Sequence, residues 1–559
     1  RGRSIANADR RFVRIDCLCL MSMDRRKFLE SAAVGSLGLV GAGASPSSLS
    51  NSDEVTESAD RPNIMVILAD DLGFADVGCY GAEVNTPHVD RLAEEGMRFS
   101  QFYNYPRCSP TRASLLTGQY PHQVGMGDLT TSSKDAPAYQ GYLNDRCVTI
   151  AEVLGEAGYH TSMVGKWHVG HKTPERWPTG RGFDRFYGEH RFVDDYFKPT
   201  HQLYLDGEPV EPQGRDWYST DAYTDYALQF LTEAQAQGQP FFTYVAYNAP
   251  HFPLQAFQSD IDTYRGKYMD HWKDIRQQRY RRQIEEGLID EQWALSPQTL
   301  LESDDERIER WRHVEDASAD QWDLKMAAYA AQIDRMDQNI GRLLRKLETM
   351  GVADNTLVLF LSDNGSAAED WINSQNPEGV LPGGRTCKLA AGPPWANVSV
   401  TPFRFYKQWT HEGGISTPFV ARWPGEIEPG TLSHEVGHVM DILPTCLNAA
   451  RVEYPDQWEG SPVRDYEGQS LMPAFDGEEW STERMVVWEH VGNRAIRKGD
   501  WKLVASDRFT PGDWELYNMK EDRTETNNLI DKMPEKAETL KKNWNQWADR
   551  VGVVLPDEG

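Results

Sequence analysis

Cysteine is scarce, with seven in 559 residues, which excludes a disulfide scaffold. Glycine (45) and proline (31) are too few and too irregular for a collagen-like or disordered chain. Positive charge is also short: 58 Lys and Arg face 85 Asp and Glu, a formal net charge of −27. A field of that sign repels phosphate backbones, so a basic attraction to nucleic acid is excluded. Any anionic substrate must meet a local group of cations. Internal repeats and low-complexity tracts are absent, and the apolar stretch Ala32 to Ala42 is too short and glycine-rich to span a membrane, so no stable insertion is expected.

That stretch has another reading. Arg25-Arg26-Lys27-Phe28-Leu29 precedes it and Ala42-Gly43-Ala44 closes it with small residues. Paired arginines before a weakly apolar core read as a twin-arginine export signal over 1–44. The expected location is periplasmic or extracellular, with the twin-arginine machinery as a partner. Met21 and Met23 are candidate starts, the residues before them being an extension. Removing 1–44 takes Cys17 and Cys19 and leaves Cys79, Cys108, Cys147, Cys387 and Cys446. An odd number leaves at least one unpaired or committed to chemistry.

Residues 45–60, rich in Ser, Asp and Glu, read as a linker. Asn63 to Leu68 is a continuous apolar run, as in a parallel strand covered on both faces, and Asp70-Asp71 follows at the end where open α/β sheets hold ligands. Thr356 to Leu361 likewise runs into Asp363-Asn364-Gly365, and Phe241 to Tyr247 into Asn248-Ala249-Pro250-His251. Three strands thus deliver polar residues to one site. Ile333, Met336, Ile340, Leu343, Leu344 and Leu347 follow a helical period, with Gly351 as its cap. Gln258 to Asp323 is charged and Trp-rich and reads as helical, partly solvated and rimming the site. Trp371, Trp395 and Trp409 suit either a sugar or ring subsite or the core. Beyond residue 450, Arg494 to Ala505 alternates around Lys498-Gly499-Asp500 as a hairpin, Trp514 to Tyr517 adds a strand, and Glu535 to Arg550 closes as a helix. The expected fold is α/β: a mostly parallel mixed central sheet with helices on both faces, and a smaller C-terminal antiparallel sheet with a helix. Residues 61–450 would form the catalytic domain and 451–559 a C-terminal α+β subdomain.

The chemistry centres on Cys108-Ser109-Pro110-Thr111-Arg112. Pro110 suits a first helical turn, which puts Cys108 just ahead of a helix N-terminus, where anions are favoured and a thiol pKa falls. Arg112 lies about one turn on. By residues alone this is either an activated cysteine beside a cation or a buried structural one. Asp70, Asp71, Asp363 and Asn364 are hard oxygen donors of the kind that suit Ca²⁺ or Mg²⁺.

Cys108-x-Pro110-x-Arg112, continued by Ala113-Ser114-Leu115-Leu116-Thr117-Gly118, resembles the first signature of the type I sulfatases. Gly158 to His168 resembles the second, and the likeness runs from Arg61 to the C-terminal helix. It implies the alkaline-phosphatase/sulfatase-like fold and a sulfuric ester hydrolase of the bacterial arylsulfatase-like branch, acting on aryl sulfates or sulfated carbohydrates. It further implies that a maturase converts Cys108 to formylglycine (3-oxoalanine), whose hydrate is the nucleophile. Ca²⁺, with Mg²⁺ the lesser candidate, would be held by Asp70, Asp71, Asp363, Asn364 and an oxygen of the modified Cys108. Arg112, Lys166, His168, His251 and Lys407 match positions around the nucleophile and sulfate. Lys166 and Lys407 would neutralise sulfuryl oxygens and, with His251, bind substrate. His251 would protonate the leaving oxygen, His168 would take the proton that lets sulfate depart, and Arg112 would hold the nucleophile. His411 to Ile415 resembles a structural turn, and His411 receives no role. Arg107 departs from the signature, which usually has an apolar or small residue there. Three other readings remain: a phosphonate monoester or phosphodiester hydrolase of the same superfamily, a thiol hydrolase using unmodified Cys108, and an inactive binder of sulfated glycans. The cations Lys166, His251 and Lys407 favour sulfate, and the complete residue set argues against the inactive binder.

Overall fold

The computed structural model describes residues 61–555 apart from 133, 192–194, 200, 215, 271, 298–318, 370, 479–483 and 507–512. The expected export signal and 45–60 linker, and part of the 258–323 segment, lie outside the described residues.

The apolar run after Arg61 forms β1 (Asn63–Ala69), with all seven residues buried. It pairs in parallel with β7 (Phe241–Ala246) on one side and β8 (Thr356–Ser362) on the other. β3 (His160–Lys166) and β4 (Arg185–Glu189) continue the parallel set beyond β7. Around this core, β2 (Met97–Tyr103), β5 (Leu203–Leu205), β6 (Glu208–Val210), β9 (Ser416–Arg422) and β10 (Thr431–His438) complete a ten-stranded sheet in the order β10-β2-β9-β8-β1-β7-β3-β4-β5-β6. The β8–β9, β9–β2, β4–β5 and β5–β6 pairings are antiparallel, so the sheet is mixed with a parallel centre.

The period of two along β1 splits the interior. Ile64, Val66 and Leu68 face one core, with residues of the Cys108–Thr117, Ile150–Glu156 and Ile442–Ala450 helices. Met65, Ile67 and Ala69 face the other, with the Ser219–Gln237 and Ala319–Met350 helices. The latter runs 32 residues, well upstream of the predicted periodic stretch. Met326 to Ala331 are buried all round, so this part shows no apolar stripe to mark it as amphipathic. Gly351 ends it at φ +71°.

The C-terminal hairpin appears as predicted, within a four-stranded antiparallel sheet of Met485–His490, Asn493–Lys498, Trp501–Ala505 and Trp514–Asn518, followed by the Pro534–Val551 helix. Its Val487, Trp488, Ile496 and Leu503 share the first core with the ten-stranded sheet. Among the described residues, no helix is long and apolar enough to cross a membrane.

The charged segment is less solvated than its composition suggests. It holds helices Gln258–Asp262 and Trp272–Glu285. Arg279 is fully buried, with Nη1 2.7 Å from Asp76 and Nη2 2.7 Å from Glu83. Arg276 donates to the carbonyls of Ser296, Asn397 and Phe403, and burial lowers its pKa to about 10. These arginines clamp the fold from within.

Candidate active site

The parallel register brings the strand ends level. Ala69 lies opposite Ser362, and Asp363 N donates to Ala69 O at 3.1 Å, so Asp70-Asp71 and Asp363-Asn364 emerge side by side. β3 ends at Lys166 on the same edge, and β7 runs into the loop carrying His251. That loop is anchored: the Tyr196 hydroxyl lies 2.9 Å from Asn248 O and 2.8 Å from His251 O, and Gln332 Nε2 donates to Pro253 O at 3.0 Å.

Cys108 is the first residue of its helix, one position further in than predicted, with Arg107 as the extended cap residue. Pro110 therefore takes the third position, where its missing N–H still costs no intrahelical bond. Gly118 terminates the helix at φ +67°. Cys108 is 3% exposed, and its Sγ lies 3.3 Å from His168 Nδ1. Lys166 and His168 both reach the site, but not by strand alternation alone: β3 has ended, and His168 takes φ +59°.

Charges alternate through the cluster. Lys166 Nζ donates to Asp70 Oδ2 at 2.7 Å. Lys407 Nζ lies 2.6 and 2.8 Å from the two oxygens of Asp71, and Asn364 Nδ2 donates to Asp71 Oδ1 at 2.6 Å. Arg112, fully buried, gives Nε and Nη2 to Asp363 Oδ2 at 3.0 and 2.7 Å, and Nη1 to Lys166 O at 2.7 Å. His251 Nε2 stands 3.4 Å from Asp71 Oδ2. Its Nδ1 lies 2.6 Å from Phe252 O, an acceptor only, which assigns the Nδ1 proton to the imidazole.

Burial would raise the pKa of Asp70, yet Lys166, His251 and Arg112 outweigh it and hold the carboxyl below its ordinary value. Burial works against the Lys407 ammonium, but Asp71 and Glu369 raise its pKa above the usual lysine range. For His168, burial and the cations Lys166, Arg112 and Lys407 act together, keeping the imidazole neutral well below its usual pKa.

Asp70, Asp71 and His251 can each offer an atom to one point, all within 4.8 Å of one another. Asp70 Oδ1 and Asn364 Oδ1 are buried oxygens without a hydrogen-bond partner. Unpaired buried acceptors are costly, and two of them among carboxylates fit a hard divalent cation.

Residues 62–452, well over half of the chain, match the Sulfatase family. The chain belongs to the sulfatase family. Residues 403–550 also match the family of N-sulphoglucosamine sulphohydrolase C-terminal regions. An uncharacterised sulfatase of Schizosaccharomyces pombe is 34% identical over 537 residues, covering 89% of this chain and 95% of its own. The arylsulfatase of Klebsiella aerogenes is 34% identical over 437 residues, covering 74% and 91%. A solved structure in complex with its substrate, D-glucosamine-2-N,6-O-disulfate, superposes with a TM-score of 0.58 at 25% identity, over 89% of this chain and 99% of that one. The protein is a sulfuric ester hydrolase.

This sulfatase gathers Asp70, Asp71, Cys108, Arg112, Lys166, His168, His251, Asp363, Asn364 and Lys407 into one buried cluster, and places Glu369, which was not foreseen, beside it. Glu369, five residues beyond Asn364, accepts from Arg107 Nη1 at 2.8 Å and from Gln408 Nε2 at 3.0 Å. A lone Glu in a loop carries no local signal of that role. Trp395 and Trp409 are buried, in separate apolar clusters. The side chain of Trp371 lies outside the described residues. His411 Nε2 lies 3.1 Å from Glu515, a tie to the C-terminal sheet.

Proposed function

We propose that the protein hydrolyses sulfate esters of carbohydrates through a formylglycine made from Cys108 and a bound Ca²⁺. The carrying observation is the 3.3 Å contact of Cys108 Sγ with His168 Nδ1 at the edge of the Asp70–Lys166 and Asp71–Lys407 cluster. In the unmodified side chain, Sγ stands in for the oxygens of the hydrated aldehyde. Asp70, Asp71, Asp363 and Asn364 are the residues proposed to hold the cation, which when bound neutralises charge on the sulfuryl oxygens. Formylglycine supplies a hydroxyl nucleophile.

The chain's own side chains do the rest. Arg112, locked on Asp363 and Lys166 O, fixes the geometry beside residue 108. Lys166 and Lys407 face the sulfuryl group with preorganised positive charge, the largest catalytic contribution in such sites. Neutral His168 accepts a proton at the nucleophile. His251, its Nδ1–H engaged by Phe252 O, would donate from Nε2 to the leaving oxygen as the imidazolium, which carries a second proton there. A carbohydrate substrate is supported by the disulfated glucosamine bound to the 25%-identical structure. The paired Arg25-Arg26 supports export by the twin-arginine route, with Cys108 converted by a maturase beforehand.

The test is turnover after co-expression with a formylglycine-forming maturase, in Ca²⁺. 4-Nitrophenyl sulfate is compared with the matched phosphate and phenylphosphonate esters, with Cys108→Ala as the blank. A sulfate preference that vanishes in the blank is expected. Preference for a phosphorus ester, or release by unmodified Cys108, overturns the reading.

A further inference from the structure

Arg107 sits in extended conformation (φ −152°, ψ 145°) just ahead of the Cys108 helix. Cys108 is buried, whereas the Arg107 side chain stays 19% exposed. One corner of its guanidinium is fixed, Nη1 donating to Glu369 Oε1 at 2.8 Å. Gln408 Nε2 donates to the same oxygen, so the carboxylate that aims Arg107 is itself held. Burial would raise the Glu369 pKa, but Lys407 and Arg107 push it down to about 2, keeping it anionic. The other guanidinium edge has no hydrogen-bonding partner among the described residues.

Arg107 also belongs electrostatically to the reacting centre. It is among the cations that depress His168, and Cys108 and Asp71 lie within its field. Its position differs from that of Arg112, Lys166 and Lys407, which are each committed to a deep carboxylate. A charge count shows what is left over. Arg107, Arg112, Lys166 and Lys407 balance Asp70, Asp71, Asp363 and Glu369. A divalent cation adds two positive charges, and a sulfate monoester removes one. One positive charge remains, and Arg107 is the most exposed of the four cations.

We propose that Arg107 is a specificity-determining residue that reads a second anionic group, a carboxylate or another sulfate, on the sugar carrying the scissile ester. A planar fork with one edge fixed offers two parallel N–H donors to an oxyanion, which a lysine cannot do. On a chain with a net charge of −27, this local cation gives a doubly charged sugar a place that the bulk field denies it. The inference rests on the carbohydrate sulfate reading above.

The test is calorimetric binding to the Ca²⁺-loaded Cys108→Ala protein, which cannot turn over. Two ligand pairs are used: N-acetyl-D-glucosamine 6-sulfate against D-glucosamine-2-N,6-O-disulfate, and D-glucose 2-sulfate against D-glucuronate 2-sulfate. With Arg107 present, the doubly charged member of at least one pair should bind about 10- to 100-fold more tightly, the size of a hydrogen bond to a charged group. Arg107→Ala should collapse that ratio to within about threefold, and Arg107→Lys should keep part of it. Preference in the first pair alone assigns a sulfate, and in the second alone a carboxylate. A ratio near one with Arg107 present overturns the proposal. So does Arg107→Ala weakening both members equally, which is what a structural role produces. Sulfate release from 4-nitrophenyl sulfate by the matured wild type tests the proposed function separately, so the two failures are distinguishable.

Discussion

Lys407 Nζ bridges both carboxylate oxygens of Asp71, a residue 336 positions earlier, and both side chains are almost wholly buried. The lysine occupies the oxygens of a carboxylate proposed above to bind a divalent cation. Lys407→Met should therefore be destabilised by roughly 3–5 kcal/mol in chelator, the cost of an unpaired buried charge. Ca²⁺ should recover most of that loss, giving a larger rise in melting temperature than in the wild type. Equal Ca²⁺-induced shifts in the two proteins would show that lysine and cation do not compete for Asp71.

His168→Ala should lower kcat for 4-nitrophenyl sulfate by about 10²- to 10⁴-fold, the usual worth of a positioned proton acceptor. Mass spectrometry of the residue-108 peptide must show equal conversion in both proteins. A loss below tenfold would remove His168 from the proton-transfer role.

The pH dependence of folding should report on Glu412. This fully buried carboxylate meets Lys502 at 2.9 Å and Arg523 at 2.9 Å. Burial would raise its pKa, but Lys502, Arg523 and Arg497 push it down to about 2. A depressed carboxyl contributes its full stability above its ordinary value of 4.5, and loses it as pH falls towards 2. Glu412→Gln should cost roughly 3–5 kcal/mol at pH 7. Its urea-unfolding free energy should also fall less steeply than that of the wild type between those two values.

Gly165 is a position where a methyl group would damage the site. It holds φ +96° on β3, and a Cβ there would stand 1.9 Å from Ala246 O on the neighbouring strand. Gly165→Ala must push β3 off β7 and carry Lys166 with it, for a loss on the order of 10²-fold in kcat/KM. Gly238→Ala, also at positive φ but with nothing within 4 Å of its Cβ, should leave kcat/KM within about twofold.

What could be read from the sequence follows from how local each signal is. Ile64 to Leu68 is apolar at every position because both faces of β1 are covered, so strand and sheet type were visible together. Asp70, Asp363 and Lys166 end parallel strands, and a parallel sheet fixes their common edge. Glu369 and Gln408 were invisible because their meeting depends on two loops that carry no pattern of their own. That Arg276 and Arg279 of the charged segment are buried was not legible, because in several cases their carbonyl and carboxylate partners are more than a hundred residues away. The start of the Ala319–Met350 helix was missed because burial on all sides erases the amphipathic period.

The depth of Cys108 also sets a timetable. In the finished fold the residue is 3% exposed, in contact with His168 and close to the ends of β1, β3 and β8 that carry the acidic cluster. Any enzyme that modifies it must reach an open chain. Cys108 leaves the ribosome about 300 residues before Lys407, which at roughly 5–20 residues per second is on the order of 15–60 s. Until that interval ends the Lys407 loop has not been made, and for most of it β8 is also missing. If Cys108 is matured as proposed, the order of segments along the chain works as a clock, holding a window open and then shutting it.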